Sequence, residues 1–308
     1  MLRALFISLS ESRWLRAAAE GSSLGKRMSG RFVAGTEVEH ALEVAQALND
    51  AGLGVSVDNL GENVTAPDEA LQSVALYRQL LAEISARDLN ANVSLKLTHM
   101  GLDVDPKLAY DNVSALVAQA ASMQPKNFVR VDMEGSAYTQ RTLDFVHDLH
   151  RNAENKGVVG AVIQSYMRRS EDDVARLLQE GIRIRLCKGA YKEPAEIAHQ
   201  DKAEVDANYI KLMKILLKSG IYHGLATHDQ KMILEAKAFA TRENIARDSF
   251  EFQMLYGIRR DLQQSLVREG WRMRVYVPFG TEWYPYLMRR LAERPANVWF
   301  VARNLVRS

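Results

Sequence analysis

The chain has 308 residues, of which 47% are hydrophobic and 25% are charged, as in a globular protein with a full core. Its 40 basic and 38 acidic residues leave a net charge of +2, which is too small to suggest a nucleic-acid partner. The single cysteine, Cys187, excludes an internal disulfide and a cysteine-based zinc site. Because no apolar run reaches about 18 residues and no signal-peptide pattern is present, we expect a soluble cytoplasmic protein.

Short β-branched runs alternate with longer segments of helical periodicity along the chain. The predicted strands are residues 31–34, 54–59, 91–98, 128–132, 158–164, 182–187, 223–227 and 250–254. The predicted helices between them are residues 38–49, 69–86, 110–121, 142–152, 171–179, 203–217 and 231–241. Glycines follow several of these helices, where a left-handed cap residue is common. They are Gly52, Gly157, Gly181, Gly220 and Gly270.

Eight strand–helix alternations with short connections predict a parallel sheet closed into a (β/α)8 TIM-type barrel. The alternative is a doubly wound open sheet, which usually carries a glycine-rich turn after its first strand. Here that turn reads VAGTEVEHA and lacks the G-x-G-x-x-G pattern, so the barrel is favoured. We expect one domain over residues 1–308, with residues 1–30 as an N-terminal helical extension and a final helix over residues 283–294.

Polar residues recur near the ends of the predicted strands, where (β/α)8 enzymes build their active sites. Strands buried on both faces are otherwise apolar, so ionisable groups inside them are costly unless they are paired or functional. The residues are Asp58, Glu62, Lys96, Asp132, Glu134, Gln164, Arg185, Lys188, Thr227, His228, Asp229, Glu251 and Gln253. For Lys96, Asp132 and Arg185 a functional role is favoured over a buried structural network, whereas Arg130 and Arg183 are expected to cover strand ends.

The stretch RVYVPFGTEWYPYLMRRLAERPAN, residues 274–297, places Arg289 and Arg290 on a predicted helix beside aromatic side chains. Guanidinium groups bind both oxygens of a carboxylate in one plane, and aromatic rings supply an apolar wall. A small carboxylate ligand fits this pattern. The alternative, a solvated basic helix face, describes most Arg-Arg pairs, and only the remainder of the chain argues against it here.

Three further features invite a chemical interpretation. In CKGAYKEP, Gly189 and Ala190 would allow close backbone approach to a nucleotide cofactor, with Lys188 alongside. His147 and His150 have a spacing that can bind metal, but a solvated helix face is favoured and no metal is predicted. Cys187 is expected to be a small buried hydrophobe.

Taken together, the motifs resemble one family, the FAD-dependent proline dehydrogenases of the short monofunctional bacterial type. The matching segments, in the family's order, are DNLGENV, VSLKLTHMGLD, FVRVDMEGSAYT, VIQSYMRRSEDD, IRLCKGAYKEP, LATHD, FEFQMLYGIR and VYVPFGTEWYPYLMRRLAERPAN. The resemblance implies a distorted (β/α)8 barrel with FAD across its C-terminal mouth. It also implies oxidation of L-proline to Δ1-pyrroline-5-carboxylate, a quinone electron acceptor at the inner face of the cytoplasmic membrane, and pyrroline-5-carboxylate dehydrogenase as a functional partner.

Residue roles follow from the same resemblance. Arg289 and Arg290 would bind the proline carboxylate, and Glu62 would form an ion pair with Arg289 that closes the site. Lys96, Asp132 and Tyr276 would line the ring pocket, with Asp132 and Tyr276 within hydrogen-bonding distance of each other. Arg185 would reach the flavin N5, and Gln164 the isoalloxazine edge. The remaining FAD contacts would come from Met133, Lys188, Gly189, Ala190, Thr227 and His228.

The chain departs from the family pattern at Gly135, where an acidic residue is common, and at Lys192, where some relatives carry an aromatic residue. Three alternative functions stay open: oxidation of 4-hydroxyproline, Schiff-base aldolase chemistry on Lys96, and carboxylate binding without catalysis. Residues 1–19 combine apolar and basic positions. They fit either an amphipathic helix at the membrane or, as the favoured alternative, a helix packed on the protein.

Overall fold

The computed structural model describes Trp14, Ser22 and residues 29–293, with side chains as far as Met288. Eight parallel strands close into a barrel in which β1 pairs with both β2 and β8. Their bounds are β1 Gly54–Asn59, β2 Ala91–Leu95, β3 Val129–Val131, β4 Val159–Gln164, β5 Arg183–Cys187, β6 His223–Ala226, β7 Phe250–Leu255 and β8 Met273–Phe279. The predicted (β/α)8 fold is confirmed.

Helices surround the barrel and follow the strands in alternation. In the described part of the chain they are α1 Val38–Asp50, α2 Pro67–Ala86, α3 Pro106–Ser122, α4 Ser136–Arg151, α5 Ser170–Gln179, α6 Lys202–Lys218, α7 Gln230–Arg242, α8 Arg260–Arg268 and α9 Trp283–Glu293. A short 3-10 helix, Ala153–Asn155, follows α4. None of the described helices is both long and apolar enough to cross a membrane.

The helices are built as their sequences predict. In α2, proline occupies the first turn and the Glu69 carboxylate accepts hydrogen bonds from the backbone of Thr65 and Ala66, which satisfies donors that a helix start leaves open. One face of α2 then buries Val74, Leu81 and neighbouring apolar residues on the barrel. The five predicted cap glycines all have a positive φ, between 74° and 81°, and are confirmed.

The prediction of a strand at residues 31–34 is wrong. That segment forms turns, and it is held to the end of β8 by the hydrogen bonds Ala34 N to Pro278 O, at 2.8 Å, and Gly280 N to Gly35 O, at 2.9 Å. Phe32 and Val33 instead pack against α9 in a small apolar cluster with Trp283. A four-residue apolar run does not distinguish a strand from such a packing segment. The eighth strand is β8, which was not predicted.

Helix α8 has no range among the predicted helices, because its pattern is largely polar and only Gln263 and Leu266 are buried; the sequence marks only its end, through Gly270. The predicted solvated face of α4 is wrong as well. His147 and His150 are only 1% and 4% exposed, and His147 Nδ1 lies 2.8 Å from Glu180 Oε2. Within the described residues, no three potential ligands cluster as a metal site would require.

Apolar and polar side chains alternate along the strands, and both kinds are buried. Residues that face the helices are apolar and almost fully buried, as Val55, Val57, Val93 and Leu95 illustrate on β1 and β2. The positions between them carry polar side chains that also are buried, such as Ser56 and Ser94. Because side chains alternate along a strand, these polar residues point into the barrel, which therefore contains a polar core.

Candidate active site

Asp132 is the centre of the cluster at the C-terminal mouth. It follows β3, and its backbone N donates to Leu95 O on β2, at 2.8 Å. Oδ1 accepts hydrogen bonds from Arg185 Nη1, at 2.7 Å, and from Ser94 Oγ, at 2.8 Å. Oδ2 accepts from Tyr276 Oη, at 2.9 Å. The contact expected between Asp132 and Tyr276 is confirmed, and it joins β3 to β8 across the mouth.

Arg185 on β5 is held in one orientation by four strands. Its Nε donates to Gln253 Oε1 at 2.5 Å, and its Nη2 donates to Ser56 Oγ at 3.0 Å. Its Nη1 binds Asp132 and Ser94, and the guanidinium lies 5.2 Å from the Tyr276 ring centroid. A buried charge is costly unless it is paired and hydrogen-bonded, and here both conditions are met. The result is a fixed cation below the mouth of the barrel.

Lys96 comes directly after β2, with its Nζ 3.5 Å from Asp58 Oδ2. Burial alone would lower the pKa of Lys96. The carboxylates of Asp58, Asp132 and Glu62 outweigh that effect and hold the pKa above its ordinary value. Lys96 is therefore an ammonium group at neutral pH, a second cation in the site.

Tyr276 on β8 is a protonated phenol that donates to Asp132. Its burial, followed by the negative charges of Asp132 and Asp58, raises its pKa well above the ordinary value. The ring is fixed by the hydrogen bond at one end and by its strand at the other. A fixed aromatic edge of this kind limits the size of a ring that can bind beside it.

Gln164, at the end of β4, carries an unused acceptor. Its Nε2 donates to Met133 O and Glu134 O, at 3.2 and 3.0 Å, which fixes the orientation of the amide. Its Oε1 is buried and has no hydrogen-bond partner within the described part of the protein. Buried polar atoms are rarely left unsatisfied, so this oxygen marks a place where a ligand N–H would fit.

The loop after β5 is open and shaped by Gly189. This glycine has a φ of +114°, and a Cβ there would lie 2.2 Å from the Tyr166 ring, so no other residue fits. Gly189 and Ala190 are exposed at the mouth. The preceding Lys188 donates to Asp206 Oδ1 at 2.5 Å and to Asp229 Oδ2 at 2.7 Å. Two carboxylates thus bind its amino group.

Thr227 and His228 follow β6. Thr227 is buried and its Oγ1 accepts from Asp229 N, at 3.0 Å. His228 Nε2 accepts from Leu255 N at 2.9 Å, which requires that nitrogen to be unprotonated. His228 therefore ties the end of β6 to β7, whereas the Thr227 contact shapes the turn that follows β6. Met133 is buried beside Gln164, so every proposed cofactor residue lies at this end of the barrel.

Gly135, where the family commonly has an acidic residue, begins α4 without a side-chain cap. A carboxylate from elsewhere takes that place: Glu193, after β5, accepts from Ser136 N at 2.7 Å and from Ser136 Oγ at 2.5 Å. An anion at a helix N-terminus is favourable. The loop that carries Lys192 is therefore tied to α4.

The predicted carboxylate site is described only in part. Helix α9 starts soon after β8 and packs through Trp283, Tyr284 and Leu287 on Leu60, which follows β1. Glu62, two residues further along, is half-buried near this contact. The side chains of Arg289 and Arg290 lie outside the described residues, so their roles and the ion pair with Glu62 stay predictions.

Comparison with known proteins identifies the family. A family model described as proline dehydrogenase matches residues 41–303. Proline dehydrogenase 2 of Bacillus subtilis is 40% identical over 306 residues, which cover 99% of each chain. The chain belongs to the proline dehydrogenase family of oxidoreductases. The family also includes proline dehydrogenase of Deinococcus radiodurans, 40% identical over 285 residues that cover 91% of this chain and 90% of that one.

Solved structures agree on the fold. Proline utilization A from Bdellovibrio bacteriovorus, inactivated by N-propargylglycine, matches with a TM-score of 0.81 and 27% identity. The match covers 87% of this chain but only 32% of that longer protein. Proline utilization A of Bradyrhizobium japonicum, at 24% identity and a TM-score of 0.75, supports the fold alone.

Sequence reasoning missed the partners of Arg185. The sequence does not single out Ser56 and Ser94, and it marks Gln253 only as a strand-end residue without a role. Asp58, the partner of Lys96, is likewise marked without a role. A usable signal was present, because each of these residues lies two positions from another polar residue on its strand: Ser56 with Asp58, Ser94 with Lys96 and Gln253 with Glu251. That period of two marks the inward face of a strand.

Proposed function

We propose that the protein oxidises L-proline to Δ1-pyrroline-5-carboxylate, with FAD as its bound cofactor and a quinone as the final electron acceptor. The observation that carries the proposal is the joining of Tyr276, Asp132 and Arg185 at the C-terminal mouth of the barrel, with Lys96 nearby. Four polar side chains converge there, two from within β5 and β8 and two from directly after β2 and β3, which is what a preorganised site for a small polar ring requires.

The chain's polar atoms fit the cofactor. Gln164 Oε1 is a buried acceptor without a partner, suited to an N–H of the isoalloxazine ring. Gly189 and Ala190 offer exposed backbone for close approach, and Met133, Thr227 and His228 complete the contacts. Lys188 would contribute mainly through its backbone, since two carboxylates bind its amino group. When bound, FAD supplies a hydride acceptor at N5, and Arg185 would stabilise negative charge that develops there.

Substrate binding would begin at the carboxylate, held by Arg289 and Arg290, with Glu62 paired to Arg289 to close the site. Such an arrangement excludes water and fixes the ring against Tyr276. Asp132 has a different task. Its two oxygens hold the Tyr276 phenol and the Arg185 guanidinium, so it positions both rather than exchanging a proton with the substrate.

Hydride leaves proline most readily from the neutral amine, because the nitrogen lone pair then forms the imine. The ammonium on Lys96 Nζ is placed to favour that form. Its raised pKa makes it a poor base, so it would lower the pKa of the substrate amine by like-charge repulsion rather than accept the proton. The same protonation argues against an aldolase, since a Schiff-base lysine must be neutral to attack a carbonyl.

Oxidation of 4-hydroxyproline is the less supported alternative. The Tyr276 phenol is fixed by Asp132, which leaves little room for a ring hydroxyl. Replacing Tyr276 with serine should therefore relax the exclusion of hydroxyproline relative to proline. An unchanged preference would show that Tyr276 does not set the specificity.

The quinone and the dehydrogenase that receives the product rest on the family resemblance. A membrane contact rests on the apolar and basic pattern of residues 1–19, for which a helix packed on the protein is the favoured alternative. The proposed contact uses residues 1–19, which lie outside the described residues except for Trp14, whose side chain is exposed. Deletion of residues 1–19 should lower turnover with membrane quinone but not with a soluble dye. If the deletion leaves the ratio of turnover with membrane quinone to turnover with the dye unchanged, the membrane contact is contradicted.

The test of the function is an absorbance spectrum of the purified protein before and after anaerobic L-proline. Flavin bands that bleach with proline, and much more slowly with 4-hydroxyproline, are expected. Bands that persist with proline would remove proline as the substrate while keeping the cofactor. A preparation that stays colourless and inert after addition of FAD would overturn the cofactor and favour a carboxylate-binding protein without catalysis.

A further inference from the structure

A second polar cavity lies at the opposite end of the barrel from the candidate active site. It has a volume of about 370 Å³ and opens at the N-terminal ends of β2, β3, β5, β7 and β8. We call it the basal cavity. The residues that matter for its chemistry are Arg130, Arg183, Arg274, Glu251 and Phe128. Its outer rim carries Asp88 and Lys126, one charge of each sign.

Glu251 is the carboxylate inside the basal cavity, and its oxygens are already in use. Arg274 Nε donates to both of them, at 2.8 and 2.9 Å. Gln253 Nε2 donates to Oε1 at 2.6 Å, and Tyr222 Oη donates to Oε2 at 2.9 Å. Glu251 therefore forms its hydrogen-bonded ion pair with Arg274. Its charge acts on Arg130 and Arg183 only from a distance, and no carboxylate of the described residues is hydrogen-bonded to either of them.

Arg130 and Arg183 are those arginines. Neither forms an ion pair with any described residue. Arg130 Nη1 donates to the carbonyls of Ala161 and Arg183, at 2.8 and 2.7 Å, but its Nε is buried with no partner among the described residues. Arg130 is only 3% exposed. An unpartnered donor on a buried guanidinium indicates a missing acceptor.

The sequence makes room for this guanidinium. Both arginines lie over the ring of Phe128, at 4.6 Å for Arg130 and 4.2 Å for Arg183. A Cβ on Gly160, which pairs with Arg130 in the sheet, would lie 2.8 Å from Arg130 Nη1 and 2.8 Å from Phe128 Cζ. A glycine at position 160 is therefore what allows the two cations to face the same space.

The electrostatics of the basal cavity favour an anion. Burial, followed by the positive charges of Arg185 and Arg183, lowers the pKa of Arg130 well below its ordinary value, and the more weakly acting carboxylates of Glu251 and Asp132 do not offset this. Water would hydrate these groups without neutralising them. Guanidinium forks match the oxygens of phosphates and carboxylates, and a cavity of this volume exceeds the roughly 30 Å³ that one water occupies by an order of magnitude.

We propose that the basal cavity binds a small oxyanion between Arg130 and Arg183. The ligand class is inorganic phosphate or a small di- or tricarboxylate, which share the oxygen geometry that guanidinium groups recognise. The site is distinct from the proposed site of proline oxidation, since it lies at the other end of the barrel and its two anion-binding arginines have no role assigned there. Arg185, which has such a role, lines the inner wall of the cavity but is paired with Asp132. Its occupant would stabilise the folded protein, because it binds the cavity and not the unfolded chain.

The experiment is a titration of the holoenzyme with sodium phosphate at constant ionic strength, with sodium chloride as the balancing salt. Melting temperature and the line width of the phosphorus resonance are the readouts. For the wild-type protein we expect a saturable rise in Tm. We also expect the phosphorus resonance to broaden, and sulfate, but not chloride, to reverse the broadening. The titration is repeated with succinate and with citrate in place of phosphate. The anion with the lowest half-saturating concentration identifies the preferred kind of ligand, phosphate or carboxylate.

Two variants locate the site. Arg130→Met should weaken the apparent phosphate affinity at least tenfold. Arg272→Met is the matched control, because Arg272 lies at the same end of the barrel but is 56% exposed and outside the cavity lining, so its affinity should stay within twofold of wild type. L-proline should not displace the anion, whereas phosphate bound at the C-terminal mouth would be displaced.

The proposal fails if phosphate and sulfate raise Tm equally in the wild type and in Arg130→Met, because salts excluded from protein surfaces stabilise any folded chain. It also fails if Arg272→Met loses affinity as Arg130→Met does, which would indicate a long-range charge effect. Should Arg130→Met not fold, the wild-type measurement decides. Phosphate that shows no broadening, or broadening that sulfate leaves unchanged, overturns the site.

Discussion

The two ends of the barrel differ in how they accommodate buried cations. At the C-terminal mouth, Arg185 is paired with Asp132 and Lys96 lies beside Asp58, so each cation has a carboxylate nearby. At the N-terminal end, Glu251 forms its ion pair with Arg274, whereas Arg130 and Arg183 donate to carbonyl oxygens and have no carboxylate of the described residues in hydrogen-bonding contact. A compensated cluster is fixed before a substrate arrives, as catalysis requires, whereas an uncompensated one is completed by a ligand.

One amide connects the two ends. Gln253 Oε1 accepts from Arg185 Nε, and its Nε2 donates to Glu251 Oε1. A Cβ on Gly224 would lie 2.4 Å from Gln253 Nε2, so glycine at that position is needed for the amide to reach both partners. The polar core therefore runs without a break from Asp132 to Arg274. Substitutions along it should have effects that depend on which end they disturb.

The largest expected effect comes from Arg185→Met. It removes the cation proposed to stabilise the reduced flavin and leaves Asp132 without its charged partner. We expect kcat/KM for proline to fall by about 10²–10³-fold, the usual cost of losing a preorganised electrostatic group. Anaerobic flavin reduction in a stopped-flow instrument measures the step directly.

The matched control is Arg183→Met, two residues earlier on the same strand and at the other end of the barrel. It should leave kcat/KM within about threefold of wild type, because Arg183 touches no proposed substrate or cofactor residue. A loss as large as that of Arg185→Met would mean that the two ends do not act separately.

Gln253→Leu should separate the two ends while keeping similar volume. Arg185 Nε and one oxygen of Glu251 would each lose a buried hydrogen bond, and such losses cost about 1–3 kcal/mol each. We expect a lower free energy of unfolding by denaturant and a moderate fall in kcat. Unchanged stability together with unchanged kcat would show that the amide does not support either cluster.

Tyr276→Phe removes only the hydroxyl that donates to Asp132. The free energy of one hydrogen bond to a charged group is about 1.5–3 kcal/mol, so a roughly tenfold or greater loss in kcat/KM is expected. The free energy of unfolding should fall by about 1–3 kcal/mol, because Asp132 Oδ2 loses a buried donor while the packing of the ring remains. Tyr222→Phe, which removes a hydroxyl donor from Glu251 at the opposite end, is the comparison and should leave kcat/KM near wild type.

The smallest effect on activity is expected for a histidine at the N-terminal end of the barrel, which acts on the pH dependence of stability. Burial, then the charges of Arg130 and Arg183, lowers the pKa of His223 from 6.5 to about 3. Below pH 6.5 the unfolded chain binds a proton at this residue and the folded protein does not. Stability therefore is complete above pH 6.5 and falls with pH toward 3, by about 1.4 kcal/mol per pH unit.

His223→Asn should remove that contribution, so the free energy of unfolding should depend less steeply on pH between 6.5 and 4. His99→Asn offers the same test at the C-terminal mouth, where burial and Lys96 lower the pKa of His99 to about 4. Chemical denaturation at several pH values measures both slopes. A slope that stays unchanged in His223→Asn would contradict the assignment of a neutral buried histidine.

The alternation of elements was enough to predict the barrel, because it depends on local periodicity. The order of strands was harder. Residues 31–34 look like a strand and β8 is absent from the predicted strands, since a short apolar run has no property that reveals its neighbours. Gly52 and the other caps were predictable because a left-handed residue after a helix is a local requirement.

The site was predictable in its residue types and not in its pairings. Lys96, Asp132 and Arg185 stand out as charges inside strands. Their partners lie far along the chain: Gln253 is 68 residues from Arg185, and Ser94 is 91 residues from it. Which inward residues meet is set by the stagger of the closed barrel, a global property that no local pattern contains. The burial of His147 had the same origin, since its cover comes from α5 and the residues after it.

The most direct test of the account compares anaerobic reduction of the bound flavin by L-proline in the wild-type protein, in Arg185→Met and in Arg183→Met. The account predicts rapid bleaching in the wild type and in Arg183→Met. It predicts a bleaching rate at least a hundredfold lower in Arg185→Met. Equal rates in all three proteins, or no bleaching in any of them, would contradict the assignment of the C-terminal cluster as the site of proline oxidation.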